Sequence, residues 1–283
     1  NAAYYEVSVS DNLTFRNADK YVCLDNAFEL NDLKPRQNYY WKVKATYDNG
    51  SCKVSETYSF KTEGHVRAIS VEGVSNFRDL GGSITSDGKI LKYGMLFRSG
   101  KGEDITARGK ETIKRLGIKT DLDLRGSAEA GIVSPFGDEI TIIAINGAYY
   151  ANSVHETAIN GSKEYRNAFR DELKACADES NYPMLFHCSL GRDRTGTLAF
   201  ILEALCGVEE DTLIRNHMLS FLSVEGQRDS ASVQAVLANV RGIYSFINSQ
   251  SGITFAEKTE NFVKQIGVTQ EEIVSIRSIL LGG

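Results

Sequence analysis

The chain has 283 residues, a formal net charge of −5, 42% hydrophobic and 24% charged residues. This is the make-up of a globular protein long enough for two cores, and the acidic balance argues against a dedicated nucleic-acid binder. The most apolar stretch, Leu198 to Val208, is too short to cross a bilayer and contains Glu203, so no transmembrane segment is expected. The chain begins at Asn1 rather than Met. An upstream segment, the place for a signal peptide, is therefore expected to have been removed.

Residues 1–62 read as β structure. Tyr4–Ser10, Tyr39–Tyr47 and Glu56–Thr62 alternate, with Asp48-Asn49-Gly50 as a turn between two of them. In the middle run Tyr39, Trp41, Val43 and Ala45 share one face and Lys42, Lys44 and Thr46 the other, the pattern of a half-buried antiparallel strand. Leu33-Lys34-Pro35 followed by Tyr39 resembles the corner of a fibronectin type III domain, in which a Tyr hydroxyl bonds back to upstream backbone. The resemblance implies a small β-sandwich over 1–63 with its first strands missing, since such a domain runs to ~100 residues. A protein or glycan partner is expected for it.

Glu63-Gly64-His65 reads as a linker. From residue 66 to 283 helical and strand patterns alternate, which predicts an α/β architecture with a mostly parallel sheet flanked by helices. Thr106–Leu116 is a predicted helix stopped by Gly117, and Ile118–Leu124 and Ile140–Ile145 are predicted strands. Ser162 is placed as the cap of a helix that puts Tyr165, Phe169, Leu173 and Cys176 on one face. Thr254-x-x-Glu257 and Thr269-x-x-Glu272 are capping boxes opening the last two helices. The 208–250 region, with helix candidates at Met218–Leu222 and Val233–Phe246, fits either a lid or an ordinary helical layer.

The chemistry concentrates in Met184-Leu185-Phe186-His187-Cys188-Ser189-Leu190-Gly191-Arg192-Asp193-Arg194-Thr195-Gly196. An apolar strand runs into this segment and a predicted helix, Thr195–Leu205, runs out toward Gly207. A strand–loop–helix gathers backbone N–H groups and the positive helix end around one point, which suits a phosphate dianion. The same field favours a thiolate at Cys188, the attacking form of a cysteine. Arg194 offers a planar fork for two phosphate oxygens, Gly191 a sharp turn, and Thr195 a hydroxyl for the sulfur when it leaves. Ser189, Leu190, Gly191, Arg192, Asp193 and Arg194 together form the expected phosphate-binding loop.

His187 through Gly196 resembles the signature of the protein tyrosine phosphatase superfamily, and most closely the atypical bacterial and fungal branch with an H-C-x-x-G-K-D-R-T-G loop. Asn76-Phe77-Arg78-Asp79-Leu80-Gly81-Gly82, Leu96-Phe97-Arg98-Ser99-Gly100, Leu116–Thr120 leading into Asp123-Leu124-Arg125, and Gly267-Val268-Thr269 with Glu272-Ile273 are similar to that branch as well. The resemblance implies a metal-independent phosphatase, without cofactor, that forms a phosphocysteine.

A proton donor for the leaving oxygen is also required. The Trp-Pro-Asp loop of many superfamily members is missing, because the only Trp is Trp41. Asp123 is the first candidate: it lies toward the C-terminal end of its strand, where open α/β sheets bind ligands, and Asp-Leu-Arg matches the segment carrying a proposed acid in the atypical branch. The other reading has Asp123 orienting Arg125 or a loop group. Asp193, inside the loop, competes for the role, with loop shaping as its alternative.

His187 is expected to orient the loop, and His65, His155 and His217 to be surface or packing residues. Arg192 stands where the family more often has Lys, which suits a substrate with several phosphates or merely offsets Asp193. Arg78, Asp79 and Arg98 read as scaffold, a Gly-Gly turn anchored by an ion pair. Five cysteines at irregular spacing give neither a disulfide framework nor a metal pattern. Cys23 and Cys52 pair if the protein is exported, which the β domain slightly favours, or else are unpaired core residues. The expected substrate is a phosphorylated protein, chiefly at Tyr and also at Ser or Thr, or a phosphoinositide. An inositol-polyphosphate phosphatase of phytase-like type and a non-catalytic phosphate-binding module are the alternatives.

Overall fold

The computed structural model describes residues 2–147, 163–222 and 230–282. The chain divides into two compact units, Asn1–Arg67 and Ala68–Gly283.

In the first unit five strands form one antiparallel sheet: β1 (Ala2–Ser10), β2 (Asp19–Cys23), β3 (Asn38–Tyr47), β4 (Cys52–Val54) and β5 (Tyr58–Lys61). The order is β2-β1-β3-β4, and β5 also pairs with β3. Alternation sorts Val7, Val9 and Tyr39 onto one face, where Trp41, Val43 and Phe60 pack beside them. The two-layer sandwich expected over 1–63 is not what the described residues make. The apolar face is covered in part by Leu30 and Leu33 from the β2–β3 connection instead of by a second sheet. The corner itself is present: the Lys34 N–H donates to the Tyr39 hydroxyl at 2.9 Å.

Cys23 and Cys52 are free. They lie on strands at opposite ends of the β2-β1-β3-β4 order. Three strand spacings of about 4.8 Å separate them, well beyond disulfide reach.

The second unit is built on the sheet β6-β7-β10-β8-β9. Its strands are β6 (Arg78–Asp79), β7 (Leu96–Ser99), β8 (Thr120–Asp123), β9 (Thr141–Ala144) and β10 (Met184–His187). Only β6 runs antiparallel; β7, β10, β8 and β9 are mutually parallel. Residues of β10 are buried throughout, as a central strand covered on both faces requires.

Helix α1 (Ala107–Leu116) starts at a Thr106 side-chain cap and stops at Gly117 with φ 68°, as the sequence indicates. It is followed by α2 (Lys163–Ala177), α3 (Asp193–Leu205), α4 (Glu210–Met218), α5 (Ser230–Asn248), α6 (Phe255–Gln265) and α7 (Gln270–Leu281). Both predicted capping boxes form, at Thr254 with Glu257 and at Thr269 with Glu272. The proposed Ser162 cap and His155 lie outside the described residues.

All thirteen residues of α3 are buried. A helix enclosed on every side belongs to the middle of a core, and α2, α4, α5, α6 and α7 surround it. Leu213 of α4 and Val236, Val240 and Ile243 of α5 are buried. The 208–250 segment thus contributes a helical layer.

Candidate active site

The central strand β10 ends at His187, and α3 begins at Asp193. In register, His187 stands beside Ser99 of β7 and Asp123 of β8, so the C-terminal ends of three parallel strands meet at this junction. Open α/β sheets present ligand sites at such ends. Cys188 through Arg192 form the connecting loop.

The loop has two sides. The carbonyl of Ser189 accepts from the Lys101 N–H at 3.1 Å. The Asn76 side-chain amide donates to the carbonyls of Leu190 and Gly191 at 3.1 and 2.9 Å, and the Arg98 guanidinium donates to Gly191 at 2.7 Å. By contrast, the N–H groups of Ser189, Leu190 and Gly191 make no hydrogen bond to any described protein group. Gly191 has φ 65°, and a Cβ there would lie 2.3 Å from the Ser99 carbonyl. Only glycine fits so sharp a turn so close to β7.

Cys188 is 3% exposed. Burial alone raises a thiol pKa, but the Thr195 hydroxyl and backbone N–H, followed by the Arg194 charge, pull it below the ordinary value, with Asp193 acting the other way. Among the described residues the buried Thr195 hydroxyl has no partner apart from the sulfur. Arg194 is held across the loop by the Leu124 carbonyl at 3.3 Å and the Ser189 hydroxyl at 3.4 Å.

Beneath the loop, His187 Nδ1 faces the Cys188 carbonyl at 3.2 Å, and Nε2 lies 3.0 Å from Asp121 Oδ1 and 3.7 Å from Asp123 Oδ2. Burial lowers the His187 pKa, yet contact with Asp121, the Asp121 and Asp123 charges and the Cys188 carbonyl more than offset it and raise it above the ordinary value. The Ser134 hydroxyl fixes the other Asp121 oxygen at 2.7 Å, and the Phe136 ring meets the imidazole edge-on.

The two candidate acids sit in different surroundings. Asp123 is fully enclosed: Arg125 donates to it through Nε at 3.0 and 3.2 Å, through Nη2 at 2.7 Å and through its backbone N–H at 2.9 Å. Arg125 also reaches Glu103, at 2.5 Å. Burial raises the Asp123 pKa, but the Arg125 hydrogen bonds and the His187 charge carry it below the ordinary carboxylate value. Asp193 stands at the first turn of α3, with Oδ2 3.1 Å from Arg192 Nε and Oδ1 accepting from the Asn239 amide of α5 at 3.1 Å. Arg192 therefore engages Asp193.

Asp79 accepts from the Gly81 and Gly94 N–H groups at 2.8 Å, whereas Arg78 reaches Asn76, the Asn216 carbonyl and the Ser220 hydroxyl. His65 is exposed. His217 is buried, with its ring packed where a side chain on Gly196 would stand. Asn76, Asn239 and Glu103 carried no role in the sequence reading. The loop carbonyl, Arg125 and Asp193 that they meet lie 22 to 115 residues away, so the local signal is confined to Asn76 opening the Asn-Phe-Arg-Asp motif.

A mostly parallel sheet with this loop at its strand ends defines the class, a phosphoric monoester hydrolase of the protein-tyrosine-phosphatase-like kind. Residues 69–282 match the tyrosine phosphatase family, and the chain belongs to that family. A protein of Cupriavidus necator, provisionally named a tyrosine-protein phosphatase, is 28% identical over 196 residues, covering 62% of this chain and 69% of its own length. The triple specificity protein phosphatase PtpB of Mycobacterium tuberculosis is 29% identical over 194 residues, covering 54% of this chain and 68% of its own. Among solved structures, P. aeruginosa TpbA superposes with a TM-score of 0.36 at 19% identity, over 54% of this chain and 83% of that one, too loosely to argue from.

Proposed function

We propose that the protein hydrolyses phosphate monoesters through a phosphocysteine at Cys188, with phosphotyrosine in proteins as its main substrate. The observation that carries this reading is the loop's division of labour: carbonyls tied outward, and the N–H groups of Ser189, Leu190 and Gly191, which bond to no described protein group, beside a thiol whose pKa is lowered. In the first step the Cys188 sulfur attacks phosphorus as the bond to the leaving oxygen breaks. Arg194 and the loop N–H groups take up the charge on the transferring phosphoryl oxygens, and Asp193 gives its proton to the leaving oxygen. Water then attacks the phosphocysteine and returns a proton to Asp193, while the Thr195 hydroxyl stabilises the departing sulfur.

Asp193 is preferred as acid because it opens α3 immediately after the loop. Asp123, by contrast, is held as an anion by the Arg125 fork, which is the orienting role weighed for it from sequence. His187 acts by orienting the Cys188 carbonyl. The triple specificity in the name of the Mycobacterium relative supports extending the reading to more than one phosphorylated residue type. The corner bond from Lys34 to Tyr39 supports reading residues 1–63 as part of a fibronectin type III-like domain.

The test is turnover of p-nitrophenyl phosphate and a phosphotyrosyl peptide with EDTA present. Cys188→Ser is expected to lose on the order of 10⁴–10⁶-fold in kcat, as when other enzymes lose a nucleophile, while still binding phosphate. Turnover retained by that variant removes Cys188 from the reaction.

A further inference from the structure

Two buried guanidiniums stand behind the phosphate loop, away from Arg194. Arg98 is 2% exposed and Arg78 6%. Both donate to the Ser220 hydroxyl, at 3.1 and 3.2 Å. Arg78 also holds the Asn76 side-chain oxygen, so that the Asn76 amide nitrogen turns toward the loop carbonyls. Asn76 itself has φ 58°, a left-handed conformation that Asn adopts more readily than most residues. The carboxylate near the two cations is that of Glu203, whose own pKa burial raises against its hydrogen bonds from Ser83 and Asn216 and the two Arg charges.

Burial lowers the Arg98 pKa to about 10, with Glu203 and Cys188 acting in the opposite direction. Arg98 thus stays cationic at neutral pH and within electrostatic reach of the sulfur.

A peptide unit whose carbonyl is fixed has its N–H fixed on the opposite side, because the unit is planar. Holding the Leu190 and Gly191 carbonyls on the Asn76–Arg98 side therefore fixes the next N–H groups, those of Gly191 and Arg192, toward the opposite side. We propose that Asn76 and Arg98 are positioning residues for the phosphate loop: by clamping its carbonyls they preorganise its N–H groups to receive a phosphate-like anion. This inference rests on the reading of Cys188 and its loop as the reactive site. It assigns a function to residues whose motif reads, from sequence alone, as scaffold.

The test compares inactivation of the enzyme by iodoacetate and by iodoacetamide. Both alkylate the Cys188 thiolate, so their rate ratio cancels the thiolate fraction and reports anion capture by the loop. Asn76→Gly keeps the left-handed backbone and deletes the amide. It is expected to lower the iodoacetate-to-iodoacetamide ratio about tenfold, the effect of one or two lost hydrogen bonds, and to weaken inhibition by vanadate in parallel. Arg98→Lys, which keeps the charge and loses the fork, is expected to lower the ratio less.

A ratio unchanged in folded Asn76→Gly overturns the inference. If that variant does not fold, an unchanged ratio in Arg98→Lys overturns it. A wild-type enzyme that shows no preference for iodoacetate, or is not inactivated by either reagent, instead overturns the reading of Cys188 on which the inference stands.

Discussion

The end of β8 and the start of α3 each bring an aspartate toward Cys188, and they treat it in opposite ways. Asp123 is wrapped by one guanidinium from its own strand end, backed by Glu103, and has an imidazole beneath it. Asp193 accepts from Arg192 Nε and from the side-chain amide of Asn239 on a different helix. A carboxylate saturated by charged donors is committed to its anion. On the assignment proposed above, the partners and not nearness to the nucleophile choose the acid.

Replacing Asp193 by Asn gives the largest effect expected from this contrast. kcat should fall about 10²–10⁴-fold for substrates with a poor leaving group, the range for losing a general acid, and much less for p-nitrophenyl phosphate. A loss of equal size for both substrates breaks the assignment.

Asp123→Asn should act on the fold. Removing one partner of a buried ion pair costs about 3–5 kcal/mol, readable in urea unfolding. Because the Asp123 pKa is lowered in the folded protein, the pair contributes fully above the ordinary carboxylate value and fades as pH drops through the folded value. The stability gap between wild type and variant should therefore be constant near neutrality and close in acid. A leaving-group-dependent fall in kcat with unchanged stability would return the acid role to Asp123.

Asn239→Ala is the finest probe. Losing one hydrogen bond to a carboxylate is expected to cost roughly three- to tenfold in kcat, again only with poor leaving groups. An equal effect on all substrates would make Asn239 a packing residue and leave Asp193 as acid.

The parts of this molecule readable from sequence are those encoded within a few residues. The β10–loop–α3 junction announces itself through an apolar strand, a Cys, a Gly and an Arg in close succession. The helix starts at Thr106, Thr254 and Thr269 follow from side chains bonding to backbone three residues on. Strand alternation put Asp121 and Asp123 on one face but could not say that Arg125 folds back onto Asp123 while Ser134 takes Asp121. The short strands β2 and β4 carry little apolar pattern because they are edge strands whose residues are mostly or wholly exposed. Asn239 was out of reach for another reason: its meeting with Asp193 depends on how α5 lies against α3, a packing outcome that no local spacing records.

The complete enclosure of α3 bears on how the reactive loop behaves in time. A helix with no solvent-facing side gives its first turn little freedom to fray, so the amides there should exchange with deuterium only when the surrounding layer opens as a whole. Breathing of the anion cradle and unfolding of the domain would then be a single event, and warming the enzyme should extinguish reactivity and structure together.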